Sequence, residues 1–180
     1  MLSVKSMMIS YNFKYYWLLP FLMNVPSLRF RLWVMKMYHV SIGKGTVICR
    51  RVQFRDGNHI QIGENCVINS NTLLDGRGGF IIIGNHVDIA QDCLIWTLEH
   101  DIHTHEAKGG DVFIGDYCWI GCRAMIKPGV HVGESSICAA YAMVTKDVEP
   151  NSVYGGIPAR KMGDRNRTKD YVLSFNSKYR

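Results

Sequence analysis

Aliphatic or aromatic residues recur at every sixth position in five runs of three: Ile42, Ile48, Phe54; Ile62, Ile68, Leu74; Ile83, Ile89, Ile95; Ile114, Ile120, Ile126; and Val132, Cys138, Val144. Small or apolar residues stand four places after many of them, at Thr46, Val52, Cys66, Thr72, Val87, Cys93, Cys118, Ala124, Val130, Ser136, Ala142 and Val148. A period of six matches neither an amphipathic helix nor one long alternating strand. It does match three short strands joined by tight turns, so each run of three predicts one triangular coil. Stacked coils place the large residues in columns inside a three-sided prism, with parallel backbone pairing from coil to coil.

The intervals between runs sharpen this picture. Phe54 to Ile62 spans 8 residues, Leu74 to Ile83 spans 9, Ile95 to Ile114 spans 19 and Ile126 to Val132 spans 6. Every departure from six falls at the same corner of the coil, and insertions gathered on one edge of a repeat protein commonly flank its binding face. The longest, thirteen residues more than the repeat needs, predicts a projecting loop over residues 100–111 that contains His100, His103 and His105. A tolerated surface insertion is the plainer alternative.

Residues 1–40 lack the period. Leu28, Phe30, Leu32, Val34, Met35 and Tyr38, interleaved with Arg29, Arg31 and Lys36, predict one or two helices that cap the first open coil, as a solenoid requires. An interfacial helix seeking a membrane surface is the alternative for the same segment. The expected organisation is therefore a helical cap (1–40), a repeat body (41–157) and a short C-terminal tail (158–180).

Composition narrows the class. A chain of 180 residues with 47% apolar and 20% charged residues suits one globular domain. The formal charge of +6 favours polyanionic partners such as phosphate-bearing cofactors and anionic membranes, and no nucleic-acid-binding motif accompanies it. Six cysteines without a C-x-x-C pair read as small buried groups in a reducing compartment. The run "YYWLLPFLM" is far short of the roughly 20 residues that cross a bilayer, so the expected location is cytoplasmic, with peripheral contact at the inner membrane face as an extension.

Two stretches carry a family likeness. "VFIGDYCWIGCRAMIKPGVHVGESSICAAYAMVTKDVEPNSVYGGIPARKM", residues 112–162, resembles the hexapeptide-repeat acyltransferases, the group of maltose and galactoside O-acetyltransferases and of acetyltransferases in polysaccharide synthesis. "DGRGGFIIIGNHVDIAQDCLIWTLEHD", residues 75–101, is similar to the polysaccharide branch. The resemblance implies an all-β fold, a left-handed parallel β-helix of about five triangular coils. Its hand comes from the resemblance alone and runs against the usual right-handed crossover. It further implies a homotrimer with an active site at each seam, and transfer of an acetyl group from acetyl-CoA to a hydroxyl of a sugar or polysaccharide precursor.

Acyl transfer from a thioester needs a base for the incoming hydroxyl, and histidine titrates nearest neutrality. His100, in "TLEHD", matches the family's catalytic histidine, with Glu99 or Asp101 as candidates to orient it and His103 and His105 expected at the rim. The resemblance places Asn69, Asp75 and Trp119 at the acceptor. Asn and Asp also serve simply as corner residues, and the spacing from Asn69 to His100 differs from the family's. Trp119, between inward Cys118 and Ile120, is expected to face outward. For the cofactor the resemblance names Gly121, Cys122, Ala140, Thr145, Lys146, Pro158 and Arg160: small residues along a pantetheine arm and cations for its phosphates. Lys161 and Arg165 are further cations near that end. No metal is expected. The competing readings are a zinc-dependent carbonic anhydrase-like β-helix enzyme, suggested by two histidines five apart (His100 and His105), and an N-acetyltransferase acting on an amino sugar.

Overall fold

The computed structural model describes residues 13–166 and Leu173. Its body is a three-sided, left-handed prism of parallel strands. The first face stacks Ser41–Ile42, Ile60–Ile62, Ile81–Ile83, Val112–Ile114 and His131–Val132. The second stacks Val47–Ile48, Val67–Ile68, Asp88–Ile89, Trp119–Ile120 and Ile137–Cys138. Gln53–Arg55, Leu73–Asp75, Leu94–Trp96, Met125–Ile126 and Met143–Val144 form the third.

The six-residue columns are the pairing register itself. Ile48 pairs with Ile68, Ile68 with Ile89, Ile89 with Ile120 and Ile120 with Cys138. Phe54, Leu74, Ile95, Ile126 and Val144 align in the same way on the third face. All fifteen column residues are buried except Ile42, half-buried at the first coil. The smaller residues four places on are buried too, and their polar groups have work there. Thr46 Oγ1 donates to the Gly63 carbonyl (2.7 Å), and the Cys93 and Cys118 thiols donate to the Gly121 and Gly133 carbonyls (3.1 Å each). Corner carbonyls that the ladders leave over thus find partners inside the prism.

At two of the three corners every coil turns through a residue with positive φ. Asn65, His86, Tyr117, Ser135 and Asn151 do so between the first and second faces, and Arg51, Asn71, Asp92, Arg123 and Tyr141 between the second and third. Side chains rarely adopt this conformation, and only a corner fixed by the coils on either side holds bulky ones such as Tyr117 there. Tyr117 is half-buried and stacks on His86 of the coil below (centroids 4.7 Å apart).

A helical N-terminal cap forms within residues 13–37; residues 1–12 of the expected cap, and 167–172 and 174–180 of the expected tail, lie outside the described residues. A helical segment, Phe13–Leu18, runs into α1 (Leu19–Met23), and α2 (Leu28–Met37) follows with Ser27 accepting the Phe30 amide as N-cap. Leu19, Met23, Val34 and Met35 are buried against the first coil. Arg31, also buried, donates to the carbonyls of Ile48 (3.0 Å) and Val25 (2.6 Å) and so ties cap to prism. Among the described residues no helix is long and apolar enough to cross a membrane.

Backbone pairing continues beyond the fifth run. Val148 bridges Val132 on the first face, and Tyr154 of strand Ser152–Gly156 pairs with Cys138 on the second, which makes a partial sixth coil. Val144 to Val148 spans only four residues, so a shortening too falls at the corner that carries every insertion. Part of the expected tail, Ala159–Asp164, is a strand that folds back antiparallel on Ser152–Gly156.

Candidate functional site

The thirteen-residue insertion leaves the corner between the third and first faces as a hairpin, Leu98–His100 paired antiparallel with Ala107–Gly109. Its root packs backbone against backbone. A Cβ on Gly109 would lie 2.0 Å from the Gly78 carbonyl oxygen, so only glycine fits there. Thr97 Oγ1 donates to the Asp75 carbonyl and accepts the Gly78 amide (2.9 Å each), and Glu99 pairs with Lys127 of the fourth coil (2.7 Å). The flap is therefore fastened at its base. At its tip Ile102 is 90% exposed, and Asp101 accepts the amides of His103 and Thr104 (2.8 and 3.0 Å). Those amides, Thr104's first, hold the Asp101 carboxyl below its usual range.

His100 ends the first flap strand, exposed, its ring stacked on that of His105 (4.9 Å). Glu99 is taken by Lys127 and Asp101 by the turn, so neither orients His100 within the chain. Among the described residues no group of three or more His, Cys, Asp or Glu is placed to hold a metal ion, which disfavours the zinc reading.

Asp75 lies on the same corner, 4% exposed. Its carboxylate receives Arg55 Nη1 (3.2 Å), Arg77 Nη2 (2.7 Å) and Arg77 Nε (2.8 Å), together with the Arg77 amide (3.3 Å). Both oxygens are thus engaged within the chain. Thr145 and Lys146 follow the third face of the fifth coil on this corner, Lys146 exposed.

The remaining predicted residues sit on the second face and its far corner. Trp119 faces outward, 48% exposed, in register with Asp88 below and Ile137 above. Asn69 Nδ2 donates to Asp88 Oδ1 (3.2 Å) and to the Ile89 carbonyl (3.0 Å), and its Oδ1 accepts the Cys49 thiol (3.7 Å). Burial raises the Asp88 carboxyl, an effect that the Asn69 bond partly offsets. Asp88 escaped the sequence reading, although its place one residue before inward Ile89 puts it in Trp119's outward column.

One residue after the inward column of the second face come Ala90, Gly121, Ala139 and Gly155, a strip without long side chains. At Gly121 a Cβ would fall 2.5 Å from the Ala140 amide nitrogen, so coil stacking itself demands glycine. Cys122 and Ala140 are exposed beside this strip. Pro158 and Arg160 are exposed where the terminal hairpin turns, with Arg160 opposite Gly155. Lys161 is bound to Glu149 and Asp164 (2.9 Å each), and Arg165 donates to the Tyr117 carbonyl (2.8 Å). Arg160 Nη1 donates to the Ala159 carbonyl (2.9 Å), and among the described residues Arg160 pairs with no carboxylate.

The predicted residues therefore fall into two groups on different sides of one prism. His100, Asp75, Thr145 and Lys146 line the flap corner, while Asn69, Trp119, Gly121, Cys122, Ala140, Pro158 and Arg160 line the second face and its edge.

No protein-family model matches the chain. It is 33% identical over 147 residues to the galactoside O-acetyltransferase of Escherichia coli K12, a stretch covering 78% of this chain and 71% of that protein. Its fold superposes on a galactoside acetyltransferase in complex with coenzyme A with a TM-score of 0.75, at 28% identity over 87% of this chain and 84% of the other. A maltose O-acetyltransferase from Clostridium difficile 630 superposes with a TM-score of 0.78, at 27% identity over 89% of each chain.

Proposed function

From the premise that the chain belongs to the hexapeptide-repeat acetyltransferases, close to the galactoside and maltose O-acetyltransferases, we propose that it moves acetyl from acetyl-CoA to a hydroxyl of a sugar or polysaccharide precursor, with His100 as the base. The observation that carries the reading is the flap, which holds an exposed imidazole away from the prism wall on a hairpin anchored at its root. In this reaction the imidazole takes the proton of the acceptor hydroxyl while its oxygen bonds to the thioester carbonyl carbon. The tetrahedral oxyanion then collapses, the C–S bond breaks, and the imidazolium returns the proton to the leaving thiolate. The products are an O-acetyl sugar and free CoA.

The two groups of residues meet when the flap corner of one copy faces the second face of the next. Such a contact joins different patches, and it closes as a ring of three copies, the assembly that the resemblance to the hexapeptide-repeat acyltransferases implies. Exposed Ile102 at the flap tip and exposed Trp119 on the wall are apolar surfaces that this homotrimer covers. Asn69 and Trp119 of one copy then flank the acceptor beside His100 of its neighbour. The strip from Gly121 to Gly155, with Cys122, Ala140 and Pro158, takes the pantetheine arm. Arg160, with Lys146 and Thr145 from across the seam, takes the phosphates. Asp75 contributes indirectly, as the anchor that positions Arg77 and Arg55.

The cysteines test the cofactor strip. Burial pushes the Cys93 and Cys138 thiols up to about 12 and Cys118 up to about 11. At pH 8 these buried thiols stay protonated and are poor nucleophiles. Cys122 is exposed. A thiol reagent at pH 8 should label Cys122 first, and CoA should slow that labelling at least fivefold. Mass mapping of the modified cysteines reads both, and equal labelling with and without CoA would remove Cys122 from the cofactor strip.

The cap adds a peripheral membrane contact. Phe13, Trp17 and Phe21 are 61%, 74% and 74% exposed at four-residue spacing, with Tyr16 beside them and Trp33 exposed on α2. Lys14, Arg29 and Lys36 accompany them, and no carboxylate occurs in residues 13–37. Aromatics among cations suit an anionic lipid interface. Trp17→Glu combined with Phe21→Glu should abolish co-sedimentation with phosphatidylglycerol vesicles at unchanged trimer mass. Loss of the trimer instead would assign the stripe to subunit contact.

A further inference from the structure

The chain's charge is divided unevenly along its length. Residues 1–55 contain nine Lys or Arg and no Asp or Glu, so the remaining residues carry a net charge of −3. Where this cationic stretch folds over the first coils it leaves a trough of about 790 Å³, lined by Arg29, Arg31 and Arg50 together with Ser27, Cys49 and Ser70. A second hollow of about 220 Å³, lined by Arg50, Arg51, Ser70 and Asn71, adjoins it through Arg50 and Ser70. Among the described residues no carboxylate lines either one.

Arg50 and Arg51 are gathered on a neutral amide, and among the described residues neither pairs with a carboxylate. Arg50 donates to the Asn24 carbonyl (3.2 Å) and to Asn24 Oδ1 (3.1 Å), and Arg51 Nε donates to the same Oδ1 (3.3 Å). One neutral amide thus holds two cations together, an arrangement that like-charge repulsion disfavours until an anion joins them. Two coils above Arg50, Asp88 accepts from the neutral Asn69 amide, and Asp92 accepts from Asn71 and Arg123. The N-terminal turn of the ten-residue α2, from Ser27, also lines the trough and adds the positive end of a helix dipole.

We propose that this trough binds the diphosphate of an acceptor whose sugar is carried on a pyrophosphate handle, a proposal that rests on the acetyl-transfer reading and narrows its acceptor class. Arg29 and Arg50 hold one phosphoryl group, and Arg50 and Arg51 the other. Planar guanidinium forks match phosphoryl oxygens in pairs, and the two joined hollows are larger than a single phosphate needs. Ser70 puts the trough beside Asn69, so a sugar attached to the diphosphate extends along the second face toward Trp119. The acyl donor's phosphates have a separate place. The cofactor strip lies two coils above Asn69, about 10 Å along the prism at the spacing of parallel strands.

The probe is inorganic pyrophosphate, titrated calorimetrically into the full-length protein without acetyl-CoA. Saturable binding is expected, weakened at least tenfold by Arg29→Glu and less than twofold by Lys36→Glu, which makes the same charge change on the same helix. Arg29 is exposed and α2 is capped elsewhere, so the substitution leaves the fold intact; Arg50→Gln gives a second reading, expected at least fivefold weaker. Absence of saturable binding, or equal loss in the Lys36→Glu control, overturns the site. Uridine diphosphate and geranyl diphosphate then compete for the pyrophosphate site. The better competitor identifies a nucleotide-linked or a lipid-linked handle, and failure of both overturns the acceptor class. Binding without any acetyl transfer to a panel of sugars would instead sink the enzymatic reading and leave the trough standing.

Discussion

With alanine in place of His100, kcat for thiol release from acetyl-CoA falls by roughly 10²–10⁴-fold, the usual contribution of a positioned general base. Affinity for CoA stays near the wild-type value, because the small-residue strip with Arg160 and Lys146, and not His100, is assigned to holding the cofactor. The loss therefore belongs in kcat, with little change in the KM for acetyl-CoA. His103→Ala, on the same flap and equally exposed, is the matched control and should retain most activity. His105→Ala removes the ring stacked at 4.9 Å and should fall between the two, since the stack fixes how His100 is presented. A His100→Ala enzyme with wild-type kcat would strip the flap of its chemical role, whatever the other variants do.

The columns were legible because burial inside a narrow prism leaves no freedom in side-chain type or spacing. From Ile48 to Val144 the period and the pairing register coincide, and the single corner that absorbs all insertions could be found by counting. The partial sixth coil escaped because its corner is shortened, which puts Val148 two residues early, and because its inward position on the second face is Tyr154 rather than an aliphatic residue. The site was legible in kind more than in arrangement. His100, Trp119 and Cys122 are outward and exposed, as alternation along a strand requires. That Asp75 is neutralised by Arg55 of the preceding coil and by Arg77 two residues on depends on contacts between coils, and a linear pattern carries no trace of them. The arginine trough lay hidden for the same reason. Arg29 belongs to the cap and Arg50 to the corner between the second and third faces of the first coil, and only the fold of one over the other makes them neighbours.

Truncation of Ile89 to alanine should cost about 2–5 kcal/mol, the range for removing a large aliphatic side chain from a packed core. Ile89 is fully buried at the middle of its column, in register with Ile68 below and Ile120 above. Parallel strands fix the spacing between coils, so neighbouring side chains cannot close over the gap, and the cost belongs toward the upper end. With urea m-values of a few kcal/mol per molar, the midpoint should fall by about 1 M or more. Ile42→Ala makes the same chemical change at the first coil, where the side chain is half-buried and has a strand partner on one side only, and should cost a fraction as much. Both variants are compared at one protein concentration, since assembly adds its own stabilisation by mass action. Equal midpoints for the two would mean that the interior does not act as stacked columns. A deep loss at Ile89 with a shallow one at Ile42 is what a one-dimensional stack requires, because each coil is held mainly by the coil above and the coil below.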